Sequence, residues 1–97
     1  MKGKLEGDKV LLEGRELFDN GWYGSEEGEL ELVEALYLAE KGKLELALSL
    51  DELFALCAKK VGNFTAVFNV YKDLRERGLP VRIGFKGSDL RVYERGA

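Results

Sequence analysis

The apolar positions of this chain change their period several times, and each change predicts a different element. Near the N-terminus, two short apolar-bearing segments flank Gly7-Asp8, which is a hairpin signal. The stretch RELFDNGWYG then reads as a short helical turn that stops at an Asn-Gly pair. Trp22 and Tyr23 follow, and we interpret them as core residues rather than as a ligand platform.

The next segment passes from alternation in GELEL to helical spacing. Its apolar residues fall at i, i+3, i+4 and i+7 and predict one buried stripe, formed by Leu32, Ala35, Leu36 and Ala39. Lys41 and Gly42 are typical of a helix C-terminus. The alternation in KLELAL that follows predicts another strand.

Two further helices are predicted at residues 50–60 and 63–77. Ser49 and Glu52 have capping-box spacing before the first, and Asn63 and Gly78 suit the ends of the second. Basic residues near the end of the second helix suit the helix dipole without any ligand: Lys72, Arg75 and Arg77. The predicted buried stripes are Leu50, Leu53, Phe54 and Cys57 on the first and Phe64, Val67, Phe68, Tyr71 and Leu74 on the second. The two helices are expected to pack together through these stripes, all but Leu50 and Leu74 taking part.

The last part of the chain, PVRIGF–KGSD–LRVY, predicts a β-hairpin with one apolar and one basic face. Arg82 lies on the basic face of the first strand, and Arg91 and Tyr93 lie on that of the second. The predicted class is α+β, with a small, mainly antiparallel sheet and three helices in a single domain.

Charge is distributed unevenly along the sequence. The chain has a net charge of −3, but residues 72–97 carry seven basic and four acidic groups. A basic end on an acidic body points weakly to a polyanion partner, and a solvated charged surface explains the same pattern. The candidate RNA-binding residues are Arg82, Lys86, Arg91 and Arg95, with Tyr93 available for stacking on a base.

The composition excludes several kinds of site. The sequence has no histidine and one cysteine, Cys57, so it has neither a zinc-type Cys/His cluster nor an internal disulfide. No phosphate- or dinucleotide-binding glycine motif is present, and we expect no cofactor and no metal. The N-terminus lacks a signal-peptide apolar region and no apolar run is long enough to cross a bilayer, so we expect a cytoplasmic protein without membrane contact.

Several stretches together resemble a known family. LVEALYLAEKGKLEL, SLDELFALCAKK and VYKDLRERGLPVRIGFKGSDLRVYERGA occur in the order found in archaeal tRNA-splicing endonucleases. The resemblance implies an N-terminal α+β region followed by the start of a nuclease-like region. We assign these to residues 1–61 and 62–97, packed as one unit.

The resemblance also implies a chemistry, which is metal-free RNA cleavage by a tyrosine, a histidine and a lysine. In that reaction the ribose 2′-OH attacks the adjacent phosphate and leaves a 2′,3′-cyclic phosphate. Tyr93 in RVYERG matches the catalytic tyrosine. The matching histidine and lysine are absent from the sequence, so we expect Tyr93 to be vestigial and the chain to be non-catalytic alone.

Three interpretations remain open at this point. The chain is a truncated tRNA-splicing-endonuclease-like domain, an engineered self-standing domain or homodimer without biological activity, or a small RNA-binding module using the basic face of residues 82–95. The first predicts a larger endonuclease subunit as partner, or a second copy paired through the edge strand at residues 89–93. The third predicts RNA affinity that falls steeply with salt.

Overall fold

The computed structural model describes residues 2–13, 23–24, 28–83 and 90–92. The described residues confirm an α+β fold with three helices and small antiparallel sheets. No helix in this part of the chain is long and apolar enough to cross a membrane. The elements, in chain order, are β1 (Gly3–Glu6), β2 (Lys9–Leu12), β3 (Glu29–Glu31), α1 (Leu32–Glu40), α2 (Leu50–Lys60), α3 (Phe64–Glu76), β4 (Val81–Ile83) and β5 (Leu90–Val92).

The predicted N-terminal hairpin is confirmed. β1 and β2 pair antiparallel around a turn in which Gly7 has a φ of +62°, a value that glycine adopts without steric cost. β3 adds to the other edge of β2 and completes a sheet of order β1-β2-β3. Val10 and Leu30 are register partners on β2 and β3, and both are fully buried. This sheet therefore covers the core on one side.

α1 lies at the centre of the fold. Every residue from Leu32 to Leu38 is buried, so the predicted single stripe was too narrow. A helix that is apolar almost all round is covered on all sides, and here the sheet, α2 and α3 all pack against α1. The helix ends as predicted, at Lys41 and at Gly42, whose φ is +75°.

α2 begins with the predicted capping box. Ser49 Oγ accepts from Glu52 N–H, and Glu52 Oε1 accepts from Ser49 N–H, each at 3.1 Å. Leu53 and Cys57 are buried against the core, as predicted. Burial of Leu50 and Phe54 was predicted wrongly, because these side chains are 48% and 47% exposed. α2 contacts the core along the narrow seam of its i, i+4 residues, and the adjoining positions lie at its edge.

α3 packs through Phe64, Phe68 and Tyr71, as predicted, whereas Val67 and Leu74 are only partly buried. Its start differs from expectation, because Asn63 has a left-handed φ of +60° and its side chain makes no capping hydrogen bond. Its end is closed by Gly78, with a φ of +81° and an N–H that donates to the Arg75 carbonyl at 2.9 Å.

The strand predicted in KLELAL does not form as a regular strand. The segment makes one isolated parallel bridge between Lys2 and Glu45, with Gly3 N–H donating to the Glu45 carbonyl at 2.9 Å. Its alternation is nevertheless visible in burial, since Leu44 is buried while Glu45 is exposed. The helical turn predicted within residues 14–22, and Trp22, lie outside the described residues. Tyr23 packs against the core, as predicted.

Candidate functional site

The predicted C-terminal hairpin is confirmed at residues 81–83 and 90–92. β4 and β5 pair antiparallel, with Val81 opposite Val92, Arg82 opposite Arg91 and Ile83 opposite Leu90. Val81 is fully buried, and Ile83 and Leu90 pack against the core. The backbone register therefore brings two of the predicted RNA-binding positions, 82 and 91, to the same point of the ladder. Tyr93, Lys86 and Arg95 lie outside the described residues.

Arg82 is partly buried and borders a polar cleft of about 150 Å³ between β4 and the N-terminal sheet. Three glutamates line the same cleft, so the surroundings of Arg82 are more acidic than the sequence alone suggested. Lys9, which also lines the cleft, forms an ion pair with Glu31. Besides Arg82 the cleft is lined by Lys9, Gly24, Glu29, Glu31, Glu34 and Ile83.

Glu34 is a buried carboxylate at this cleft that the sequence analysis did not identify. It lies in the apolar run of α1 and is only 3% exposed. Its Oε2 accepts from Gly24 N–H at 2.8 Å, and its Oε1 accepts from Glu31 N–H at 3.1 Å. Loss of water on burial raises the pKa of Glu34, and these hydrogen bonds together with the positive charge of Arg75 oppose that rise.

Gly24 is required by its position next to Glu34. Its φ is +75°, and a Cβ added there would lie 2.6 Å from the backbone oxygen of Glu29. A side chain would therefore need both an unfavourable backbone conformation and a shift of β3. Glycine allows the backbone to approach closely enough for its N–H to reach the Glu34 carboxylate.

Arg75 is the second buried ionic residue, at 8% exposure. Its Nε donates to Tyr71 Oη at 3.2 Å, and its Nη2 donates to the Val81 carbonyl at 3.0 Å. Its guanidinium carbon lies 3.9 Å from the centroid of the Tyr23 ring, a cation–π contact. Arg75 was predicted to interact with the helix dipole, although its spacing from Phe68 and Tyr71 places it on the buried stripe of α3.

The contacts of Glu34, Tyr71 and Arg75 hold separate parts of the fold together. Burial raises the pKa of Tyr71 far above that of a free tyrosine, so its hydroxyl stays protonated. Across the described ranges, no three or more Cys, Asp or Glu side chains are grouped so that they could hold a metal ion. Cys57 is buried on α2, and burial raises its pKa to about 11.

Comparison with family models identifies both parts of the sequence. Residues 1–55 match the tRNA intron endonuclease N-terminal domain, and residues 64–97 match the tRNA intron endonuclease catalytic C-terminal domain. The chain belongs to the tRNA intron endonuclease family. The resemblance seen in the sequence is thereby confirmed.

Curated relatives named tRNA-splicing endonuclease match along almost the whole chain. One from Saccharolobus islandicus is 35% identical over 99% of this chain and 66% of its own length. Others from Methanococcoides burtonii and Methanosarcina acetivorans are 39% and 44% identical over 100% of this chain and 30% of their own lengths. The chain therefore spans less than two thirds of each of these relatives.

The contacts of Arg75 cross from one matched domain to the other. Glu34 and Gly24 fall within the match to the tRNA intron endonuclease N-terminal domain, whereas Tyr71, Arg75 and Val81 fall within the match to the catalytic domain. The ring of Tyr37, on α1, also meets that of Tyr71 edge-on, with centroids 5.6 Å apart. Aromatic and cation–π contacts thus join the two matched parts of the chain.

Proposed function

We propose that this chain is a non-catalytic unit of a tRNA-splicing endonuclease, which contacts RNA through its C-terminal hairpin and acts beside a catalytic family chain. The observation that carries this proposal is the match of residues 64–97 to the catalytic domain in a sequence that contains no histidine. The proposed division is an N-terminal region at 1–61 and the start of the nuclease-like region at 62–97. A single buried thiol suits a reducing compartment, and the cytoplasm is part of the proposal.

The absence of histidine matters because of the reaction proposed for the family. Attack by the ribose 2′-OH needs a base, and departure of the 5′ oxygen needs an acid. Tyr93 is the proposed remnant of the base, but only about one free tyrosine in a thousand is ionised at pH 7. Without a general acid, about 10²- to 10⁴-fold in rate is lost. The 97 residues alone are therefore expected to bind RNA without cutting it.

The proposed RNA-facing surface is the basic side of the hairpin. Residues 72–97 have an excess of positive charge although the whole chain has a net charge of −3. Basic groups on a hairpin contact phosphates without reading sequence, and an adjacent tyrosine stacks on unpaired bases. The residues assigned to this surface are Arg82, Lys86, Arg91 and Arg95, together with Tyr93.

A cleavage assay tests the non-catalytic part of this proposal. An intron-bearing tRNA transcript is incubated with the 97-residue chain, with and without Mg²⁺, and products are resolved on a gel. We expect no cleavage above the buffer control in either condition, while a catalytic family member added as positive control cuts the same transcript. Site-specific products that end in a 2′,3′-cyclic phosphate and disappear in Tyr93→Phe would show that the chain is itself a nuclease.

Binding is measured separately, by titrating the same transcript at several salt concentrations. If the hairpin contacts phosphates, affinity falls steeply with salt, and Arg82→Gln reduces the slope of log K against log salt by about 0.7 to 0.9. Lys59→Gln, which removes an exposed cation at the end of α2, is the matched control and should leave affinity unchanged. A chain that retains neither RNA nor a catalytic family member would instead match the inert, self-standing domain.

A free-standing RNA-binding module is the second candidate function. The pairing of Arg82 with Arg91 in the register of β4 and β5 favours it, because it concentrates basic positions on one short hairpin. The two candidates differ in their partner. A unit of an endonuclease co-purifies with a catalytic family chain, whereas a free-standing module binds RNA with the same affinity whether or not that chain is present.

A further inference from the structure

Three separate parts of the fold meet at the Arg75 guanidinium. It is carried by α3, it lies over the ring of Tyr23, and it donates a hydrogen bond to the Val81 carbonyl at 3.0 Å. Tyr23 precedes β3 in the N-terminal part of the chain, and Val81 begins β4. Arg75 therefore touches both the N-terminal part and the hairpin.

The hairpin depends on such an anchor because it is small. β4 and β5 have three residues each, and the structure describes them as a two-stranded sheet. A sheet of this size is not stable in isolation and takes its stability from packing. Val81 directly precedes Arg82, so a bond to the Val81 carbonyl acts one residue away from a proposed RNA contact.

Charge explains why an arginine occupies this buried position. A buried guanidinium is stable only where it is hydrogen-bonded and balanced by an opposite charge. The Glu34 carboxylate of α1 supplies this negative charge: the charge of Arg75 opposes the rise in the pKa of Glu34, and Glu34 contributes to the rise in the pKa of Tyr71. Because Glu34 also holds Gly24 N–H, the segment at residues 23–24 is tied to α1 from one side and to Arg75 from the other.

We propose that Arg75 is a positioning residue, which fixes the β4–β5 hairpin on the N-terminal part of the chain and so holds the RNA-facing side in its binding orientation. This inference rests on the proposed function, since it assumes that the hairpin contacts RNA. Arg75 itself is buried and does not touch the RNA. Its loss leaves the hairpin correctly oriented for only a fraction of the time, and apparent affinity falls by that fraction.

Hydrogen exchange without RNA tests the structural half of the proposal. In Arg75→Gln, amides of β4 are expected to exchange about tenfold faster than in the wild-type chain, while those of α1 change much less. Leu53→Ala, a core change on α2, is the matched control, because Leu53 is buried on a different helix from Arg75 and its truncation lowers stability. It should accelerate exchange of α1 and β4 together. Arg75→Lys keeps the charge but not the forked donor geometry. The exchange rate of its β4 amides should therefore lie between those of the wild type and of Arg75→Gln.

RNA titration of the same variants tests the functional half. We expect about tenfold weaker binding of an intron-bearing tRNA transcript by Arg75→Gln, partial recovery in Arg75→Lys, and unchanged affinity in Leu53→Ala under conditions where all are folded. The slope of log K against log salt should stay at the wild-type value in the Arg75 variants, because no phosphate contact is removed, whereas Arg82→Gln lowers it.

The outcomes separate this inference from the proposed function. A wild-type chain that does not retain RNA overturns both. Two outcomes overturn the role of Arg75 alone, both with a wild-type chain that binds RNA. In one, Arg75→Gln changes exchange uniformly across the chain; in the other, Arg75→Gln and Leu53→Ala lose equal affinity for RNA. If Arg75→Gln does not fold, the Arg75→Lys variant decides, and wild-type exchange of β4 together with wild-type affinity in that variant contradicts the inference.

Discussion

Phe54 and Phe68 show how differently two phenylalanines of neighbouring stripes are used. Phe68 is 7% exposed and stacks on Phe64, whereas Phe54 is 47% exposed and only meets Phe64 edge-on. Phe68→Ala is expected to lower the free energy of unfolding by about 3–5 kcal/mol, because it leaves a cavity in the core. Phe54→Ala is expected to cost about 1 kcal/mol, the scale of one aromatic pair.

Urea unfolding of the two variants makes this comparison in one experiment. Phe54 serves as the control, since the side chain removed is the same and only its burial differs. A loss below about 1 kcal/mol in Phe68→Ala, or equal losses in both variants, would contradict the assigned buried face of α3.

Cys57 is expected to be unreactive while the chain is folded. The thiol is buried, and its pKa is raised from 9.0 to about 11, so about one thiol in a thousand is ionised at pH 8. A thiol-specific reagent at pH 8 should label the native chain very slowly and should label one thiol per chain in denaturant. Rapid labelling of the native chain would show that α2 does not cover this position.

The same burial predicts a pH dependence of stability. The pKa of Cys57 is higher in the folded chain than in the unfolded chain. Its contribution to the free energy of unfolding is therefore fully present below the unfolded pKa, and it is lost as pH rises from about 9 through about 11. Unfolding free energies of the wild type and of Cys57→Ala, measured between pH 8 and pH 11, should therefore converge as pH rises. A constant difference across that range would contradict the assignment.

At the scale of an element, Asn63 begins α3 through its backbone conformation rather than through its side chain. Its φ is +60° and its side chain makes no capping hydrogen bond. Asn63→Gly is expected to leave stability unchanged or slightly raised, because glycine adopts this conformation freely. Asn63→Ser is expected to cost about 1 kcal/mol, because serine rarely adopts it.

The two substitutions distinguish backbone conformation from capping. As an N-cap, serine is as good as asparagine, and glycine is a few tenths of a kcal/mol worse. A side-chain cap at Asn63 would therefore reverse the order, with the serine variant at wild-type stability. Thermal or urea unfolding resolves a difference of this size.

At the scale of the whole molecule, the edge at residues 89–93 predicts self-association. Among the described residues β5 pairs with β4 alone, and an open strand edge favours pairing with another chain. We expect light scattering to give a dimer mass that falls towards the monomer on dilution. A mixture with a catalytic family member should contain a mixed assembly.

Phe54→Lys provides the control for this experiment. It places a charge on the half-exposed apolar position of α2, so it should leave a dimer formed through β5 intact. Loss of the dimer in this variant would move the interface to α2. A monomer mass that does not change up to high concentration would exclude the proposed association.

Several elements could be predicted from the sequence because their causes are local. The capping box of α2 involves Ser49 and Glu52 alone, three residues apart, and the end of α3 needs only a glycine at Gly78. The C-terminal hairpin follows from alternation on both sides of a turn, which also predicted that positions 82 and 91 share one face. That they lie opposite each other in the register is a finding of the structure. Tyr93, Lys86 and Arg95 lie outside the described residues, and their role in the site stays a prediction.

What the pattern of the sequence could not decide is which neighbours cover a given residue. Glu34 and Arg75 are charged, and a linear pattern assigns charge to the surface, yet folding places them between α1, α3 and β4 where each finds partners. KLELAL alternates like a strand but makes a single bridge within the described ranges, because a strand also needs a partner edge. The start of α2 and the ends of α1 and α3 were thus determined by the sequence itself, through interactions over a few residues. Burial of charge, strand pairing and the link between the two family-matched parts were decided by the tertiary structure, since they depend on contacts between residues far apart in the chain.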